Sequence, residues 1–405
     1  MLSKSFTAAV VNDLAEAGRV DLDAPVRTYL PGFRTADPVA SGRITVGHLL
    51  TQTSGMADAR FPALNDQPAD LEHRVAQLRS AQLVSEPGRE FHYFEPNYQM
   101  LARIVEVVTG RAFAAVLSER VLAPLGMTGT FSAPTAAAGT QRASRMPQGH
   151  VLVFGVPLAR PELDGLVAGS AGVVSTGEDM ARWLVMQSTG GGPVLCPASV
   201  QRMHTPPPGV AGGYAQGWQV LTPPDGPRRI EHNGVLSTVS ADQVLLPDSG
   251  FGFALLYNGH SALADTAAVK AGLARLLTGE PADGPRSTAV TSLVIGGLAV
   301  VVLAWRVRQW LGLPRWVRRT ASRPWWAATP GIVGPLVPAV LLLALPGLLG
   351  VLIGRSFTLW QLTLAMPGVV ALLAVAALTG AAVALGRLAG IATTPARGGR
   401  GAPGS

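Results

Sequence analysis

The spacing of apolar positions changes along this chain, and the changes divide it into three parts. Phe6, Val10, Val11 and Leu14 recur at helical spacing and Gly18 follows as a stop, which predicts an amphipathic helix over residues 5–17. Residues 100–108, ending near Gly110, keep the same period, as do 113–121 and 180–186, the last behind the acidic start Glu178-Asp179. From residue 217 the pattern shortens to that of strands, at 217–221, 229–232, 241–246 and 251–257. Pro223-Pro224-Asp225-Gly226 and Pro247-Asp248-Ser249-Gly250 supply turns between them. Residues 262–277 read as a helix packing on that sheet. The class is α+β: a helical middle, an antiparallel meander and a closing helix. Beyond it lie three charge-free apolar runs, about 287–305, 330–353 and 359–385. Each is near the roughly 20 residues that cross a bilayer, and their prolines are better tolerated there than in soluble helices.

Charge matters once it is counted by region. The 405-residue chain carries +7, yet Asp283 is its last acidic residue and eleven Arg follow it, leaving −4 on residues 1–283. The basicity belongs to the tail, and without a basic stripe on the globular part no nucleic-acid partner is expected. Arg306, Arg308, Arg315, Arg318, Arg319 and Arg323 sit between the first two apolar runs, and only Arg355 between the second and third. The positive-inside rule then predicts a multi-pass plasma-membrane protein, with the six-Arg connection and the C-terminus cytoplasmic and the globular part extracytoplasmic. Trp305, Trp310, Trp316, Trp325 and Trp326 fit an interfacial belt. The expected organisation is a domain over 1–280, a linker over 281–286 and an all-α transmembrane tail over 287–405, with the bilayer as partner through 287–385. The runs hold no Asp, Glu, Lys or His, which argues against transport. Cys196 is the single cysteine, so no disulfide forms within the chain. Neither a zinc-ligand cluster nor a phosphate- or dinucleotide-binding glycine motif is present, and no metal or cofactor is expected.

Five segments carry a family resemblance. They are Ser3-Lys4-Ser5-Phe6 through Val26, His48-Leu49-Leu50-Thr51-Gln52-Thr53-Ser54-Gly55, Tyr93-Phe94-Glu95 within 91–98, Ala171 to Ala181, and His232-Asn233-Gly234. In this order and spacing the chain resembles the serine β-lactamase and penicillin-binding-protein superfamily, in particular its class C-like branch of esterases, D-aminopeptidases and D,D-peptidases. The resemblance implies a β-lactamase-like antiparallel sheet with a helical subdomain. In that family at least one strand precedes the first helix; it is not encoded here, which predicts an open sheet edge and an uncovered apolar patch.

The resemblance also implies the chemistry. The S-x-x-K motif places a nucleophilic Ser one helical turn before its Lys, and three residues before Lys4 stands Met1. The expectation is a chain that starts too late, or one inactive as it stands. Ser3 and Ser5 are poor substitutes, because helix neighbours point about 100° apart. Lys4 is the expected proton acceptor and Tyr93 a phenol shuttling a proton beside it. Glu95 departs from the family's Asn in the substrate-binding place; a carboxylate only accepts hydrogen bonds, which counts against β-lactam chemistry of the usual kind. Asn97 is expected to cap the following helix. His232 replaces the third-motif Lys and would suit a carboxylate or ester carbonyl, while Gly234 keeps its strand open to substrate. His48 and Ser54 are expected to be structural. The function implied is a membrane-anchored serine hydrolase using acyl-enzyme chemistry on a small-molecule or peptide substrate: D-amino-acid peptides, β-lactams or esters. The alternatives are a non-catalytic protein that binds or senses wall fragments, and a membrane protein whose tail carries the function.

Overall fold

A computed structural model describes residues 2–143, 146–224 and 226–394; Met1 lies outside the described residues. The first helix, Ser3–Glu16, carries the apolar spacing expected of it. Its polar residues Ser3, Lys4, Ser5, Thr7 and Asn12 are nevertheless buried too. It is therefore a central helix, covered on all sides over its first three turns, rather than one with a wet face. Phe6 stacks on Trp183 with ring centres 4.0 Å apart, tying it to the helix Gly177–Ser188.

The helix Glu95–Thr109 starts five residues before its apolar period does. Pro96 suits a first turn, and Gly110 ends the helix at φ 70°. The motif Tyr93-Phe94-Glu95 thus runs directly into a helix N-terminus, where the macrodipole favours the Glu95 carboxylate.

The strands Gln219–Leu221, Arg229–Val235, Ser240–Leu246 and Phe251–Tyr257 form an antiparallel meander in chain order. Its register sets His232 opposite Gln243 and Gly234 opposite Ala241. Val244 and Leu246 pack on Ala274 of the helix Thr266–Leu277. Gln243 accepts from the Trp183 indole at 3.2 Å. Lys270 bridges Glu231 and Asp242 at 2.6 and 3.1 Å, fastening the closing helix to the sheet. That helix begins at 266 because Asp265 caps it through the Ala268 amide. The strands Gln219–Leu221 and Phe251–Tyr257 are the edges of this sheet; the second pairs, among the described residues, only with Ser240–Leu246 and leaves Phe251 and Leu256 exposed.

Three helices in the tail are long and apolar enough to cross a membrane: Thr288–Leu311, Trp326–Ile353 and Pro367–Thr393, with mean hydropathy 2.1, 2.6 and 2.4. The first continues past residue 305 because Arg306 finds Gln309 Oε1 and the Pro335 carbonyl. The tail touches the globular part directly. The Ala262 amide donates to the Ala365 carbonyl at 2.8 Å, and the turn at 354–358 reaches the buried Asp58.

Candidate active site

Lys4 sits in the first turn of its helix and is fully buried. Its Nζ donates to Glu95 Oε2 at 2.7 Å and to the Ser170 carbonyl at 2.9 Å, and lies 4.9 Å from the centre of the Tyr93 ring. Two glycines make this approach possible. Gly169 has φ 78°, and a Cβ there would stand 2.4 Å from the Tyr98 carbonyl oxygen. Gly217, also at φ 78°, would bring a Cβ within 2.8 Å of the Lys4 carbonyl group. Gly217 thus sets bare backbone against the turn bearing Lys4, while Gly169 lets the segment that carries the Ser170 carbonyl lie close on the helix Glu95–Thr109. A neutral amine has two N–H donors and one lone pair. Both donors find acceptors here, so the lone pair is left to receive a proton. Burial pulls the Lys4 pKa below its ordinary 10.5, Arg355 adds to that, and Glu95 opposes it.

Ser3 and Ser5 are engaged elsewhere. Ser3 Oγ accepts from the Val173 amide at 3.0 Å. Ser5 Oγ donates to the Leu2 carbonyl at 2.8 Å and accepts from Gln243 Nε2 at 2.9 Å.

The segment 45–55 builds the floor under Tyr93 and Glu95. Gln52, at φ 59°, accepts through its side chain from the Phe94 amide at 3.1 Å and from Asn97 Nδ2 at 2.6 Å. Ser54 Oγ donates to Asn97 Oδ1 at 2.9 Å. Asn97 therefore does not cap its helix; it lies inside the first turn and locks the motif to this floor. Tyr98 Oη adds a bond to the Leu50 carbonyl at 2.6 Å, and His48 closes a capping box with Thr45.

Burial alone would raise the Glu95 pKa, but Lys4 and then Arg355 outweigh it and hold the carboxyl at about 2. Its Oε1 has no hydrogen-bond partner among the described residues, with Arg355 Nη2 3.9 Å away. Burial, followed by the Glu95 charge, pushes the Tyr93 phenol well above its ordinary 10. Tyr93 is therefore a neutral phenol near neutral pH, suited to relay a proton rather than to act as a standing phenolate.

His232 lies on the strand Arg229–Val235 with its ring centre 6.3 Å from that of Tyr93. Nδ1 donates to the Asn233 carbonyl at 2.6 Å, which leaves Nε2 to accept from Tyr214 Oη at 3.2 Å. The bond pattern assigns this tautomer. Burial and then Lys4 lower the His232 pKa to about 3, so the ring is neutral. The carboxylate contact expected of His232 thus has no charge behind it; among the described residues the cations here are Arg355 and, when protonated, Lys4.

The fold brings Lys4, Tyr93, Glu95 and His232 into one cluster. Gly234 stands apart from it, on a cavity of about 660 Å³ that also touches Leu2, Phe6, Val173 and Thr238. That cavity flanks the amine cluster without being lined by it. Sequence reasoning missed Tyr214, Asp58 and Arg355 as neighbours of the cluster. Arg355 had a signal: it is the one ionisable residue between the second and third apolar helices.

The model of the family described as Beta-lactamase matches residues 2–277. The chain belongs to the Beta-lactamase family. Among curated relatives of this Beta-lactamase-family chain, Penicillin-binding protein 4 of Amycolatopsis lactamdurans is 31% identical over 275 residues, covering 64% of this chain and 71% of that one. Protein flp of Staphylococcus aureus (strain NCTC 8325 / PS 47) is 27% identical over 270 residues, covering 64% of this chain and 52% of the relative. The chain thus spans about half the length of that relative. Among solved structures, the octameric penicillin-binding protein homologue from Pyrococcus abyssi shares the fold, with TM-score 0.59 and 22% identity over 69% of this chain and 65% of that one. A D-stereospecific amidohydrolase from Streptomyces sp. gives TM-score 0.50 and 26% identity over 64% and 80%. The α+β class, with a β-lactamase-like sheet, a helical subdomain and an apolar helical tail, stands on both the family match and the fold.

Proposed function

We propose that the Beta-lactamase-family domain holds an acyl-transfer hydrolase site, anchored to a membrane by the three apolar helices. A hydroxyl one helical turn before Lys4 would attack the substrate carbonyl carbon and pass its proton to the Lys4 lone pair. Tyr93 relays that proton to the departing amine or alkoxide, and water, deprotonated by the same amine, releases the acyl group. The observation that carries this reading is the Lys4 Nζ geometry: two acceptors at 2.7 and 2.9 Å in a fully buried site.

Glu95 narrows the substrate class. Its Oε1, without a hydrogen-bond partner among the described residues, accepts and does not donate, so it favours a substrate presenting an N–H beside the reacting carbonyl. D-Amino-acid amides and peptides fit that better than β-lactams, and the Streptomyces amidohydrolase supports the same direction. Esters that carry an amino group fit as well.

Met1 has no hydroxyl, and this residue favours a second reading in which the chain binds wall fragments without turnover. One experiment separates the two. In the full chain, Met1→Ser is assayed against a D-alanine anilide, a D-alanine ester and a chromogenic cephalosporin, with Lys4→Met added as control. Hydrolysis of the amide and ester that disappears with Lys4→Met supports the hydrolase reading. Binding of the amide by calorimetry with no turnover in Met1→Ser supports the binding reading and sinks the first.

The proposed topology puts the globular domain outside and the C-terminus in the cytoplasm. The turn at 354–358 bonds to Asp58 of the domain, so the two belong on one side of the bilayer. The six-Arg connection then falls on the other side, as the positive-inside rule asks.

A further inference from the structure

Asp58 is a carboxylate with 2% of its side chain exposed, and among the described residues its ion-pair partner comes from the tail rather than from the domain. Arg355 Nε donates to Asp58 Oδ2 at 2.8 Å across 297 residues of sequence, and the Ser356 amide donates to the same oxygen at 3.3 Å. The guanidinium carbon then stands 4.8 Å from the centre of the Tyr93 ring, a ring Lys4 Nζ approaches at 4.9 Å. Nη2 faces Glu95 Oε1 at 3.9 Å, on the side of the carboxylate that Lys4 does not use. Gly354, at φ 71°, ends the second apolar helix and turns the chain toward the domain at this point.

From this arrangement we infer that Arg355 is a positioning residue of the candidate site: the membrane tail supplies the guanidinium that anchors Asp58, faces Glu95 and sets the charge state in which Lys4 works. The inference rests on the hydrolase reading above.

The charges around Lys4 make the reason plain. Glu95 faces it from the helix Glu95–Thr109 and Asp58 from the turn beneath, both negative. Tyr93, Tyr98 and His232 are neutral, and Ser170 offers only a carbonyl. Without Arg355, two carboxylates would act on one amine and bind its proton more tightly, and a protonated Lys4 has no lone pair to accept with. Glu95 and Arg355 therefore go together. Where an amide would leave the cluster balanced, the carboxylate needs a second cation, and the tail brings it.

The test uses the full chain in lipid nanodiscs and no turnover, so it stands or falls independently of hydrolysis. The chain has two lysines, Lys4 and Lys270, so lysine labelled with carbon-13 at Cε gives two resonances to follow against pH. In Arg355→Gln, Lys4 should bind its proton about tenfold more tightly, the scale of removing one charge several ångströms away in a partly screened site. Arg355→Lys should restore most of the original midpoint. The Lys270 resonance, from a side chain held by Glu231 and Asp242, should keep its chemical shift at neutral pH and reports that the domain is folded. An unchanged Lys4 midpoint in a folded Arg355→Gln protein overturns the inference. Should that variant fail to fold, Asp58→Asn decides by hydrogen exchange. Release of the turn should speed exchange of the 354–358 amides at least about tenfold, and unchanged exchange overturns the docking.

Discussion

Replacing Glu95 by Gln should change how stability depends on pH, and the structure says in which window. The folded carboxyl titrates at about 2 against an ordinary 4.5, because Lys4 at 2.7 Å and Arg355 at 3.9 Å outweigh the burial that opposes ionisation. A group whose pKa falls on folding stabilises the fold at pH values above its ordinary pKa. That contribution is lost as pH drops through the folded value, so the window runs from 4.5 down to about 2. At about 1.4 kcal/mol per pH unit the contribution is on the order of 3 kcal/mol. The Glu95 side chain is 21% exposed, so solvent trims this figure without cancelling it. The assay is thermal or denaturant unfolding of wild type and Glu95→Gln in parallel from pH 7 to pH 3, reading only the difference between them so that the other carboxylates cancel. At pH 7 wild type should be the more stable by about 1–3 kcal/mol, allowing for relaxation around a neutral Lys4. The gap should begin to close below pH 4.5 and shrink steadily toward pH 3. A difference that stays flat across that range would refute the reasoning, since it would mean that Glu95 is not held ionised by the cations beside it.

Other outcomes follow from the same geometry. Gly217→Ala sets a Cβ 2.8 Å from the Lys4 carbonyl group at φ 78° and should cost about 2–4 kcal/mol in unfolding free energy; wild-type stability would contradict the grip on this helix. His232, followed by nitrogen-15 NMR, should stay neutral down to about pH 3 with the proton on Nδ1; a midpoint near its ordinary 6.5 would restore it as a cation for substrate carboxylates. Cys196 is exposed and is the chain's single cysteine, so a membrane-impermeant maleimide should label it on intact cells; labelling only after lysis would invert the proposed topology.

The fold class could be read from the chain because it lies in local spacing: helical period at Phe6, Val10 and Leu14, then strands from residue 219 onward. Motif order added the family. The expected cluster of Lys4, Tyr93, Glu95 and His232 also came together, since each lies on an element that the motifs mark. What was not legible depends on contacts between distant segments. Nothing near Asn12 announces that it is buried against Gln216 Oε1 at 2.7 Å. Asn97 reads as a cap because it stands just ahead of the helical period at 100–108, and only the folded floor of Gln52 and Ser54 shows its task. His232 resembles a surface cation until Tyr214 and the sheet cover it. Arg355 was visible as a topology mark alone, because its chemistry appears only when the tail folds back onto Asp58.

The central claim is that Lys4 is built to take the proton of a hydroxyl one helical turn before it. The most direct test is to treat Met1→Ser, in the full chain, with a fluorophosphonate or an activated D-amino-acid ester, then locate the covalent adduct by peptide mass mapping. The account predicts the adduct on residue 1, and its loss when Lys4→Met is added. An adduct on Ser3 or Ser5, or equal labelling with and without Lys4, would contradict it.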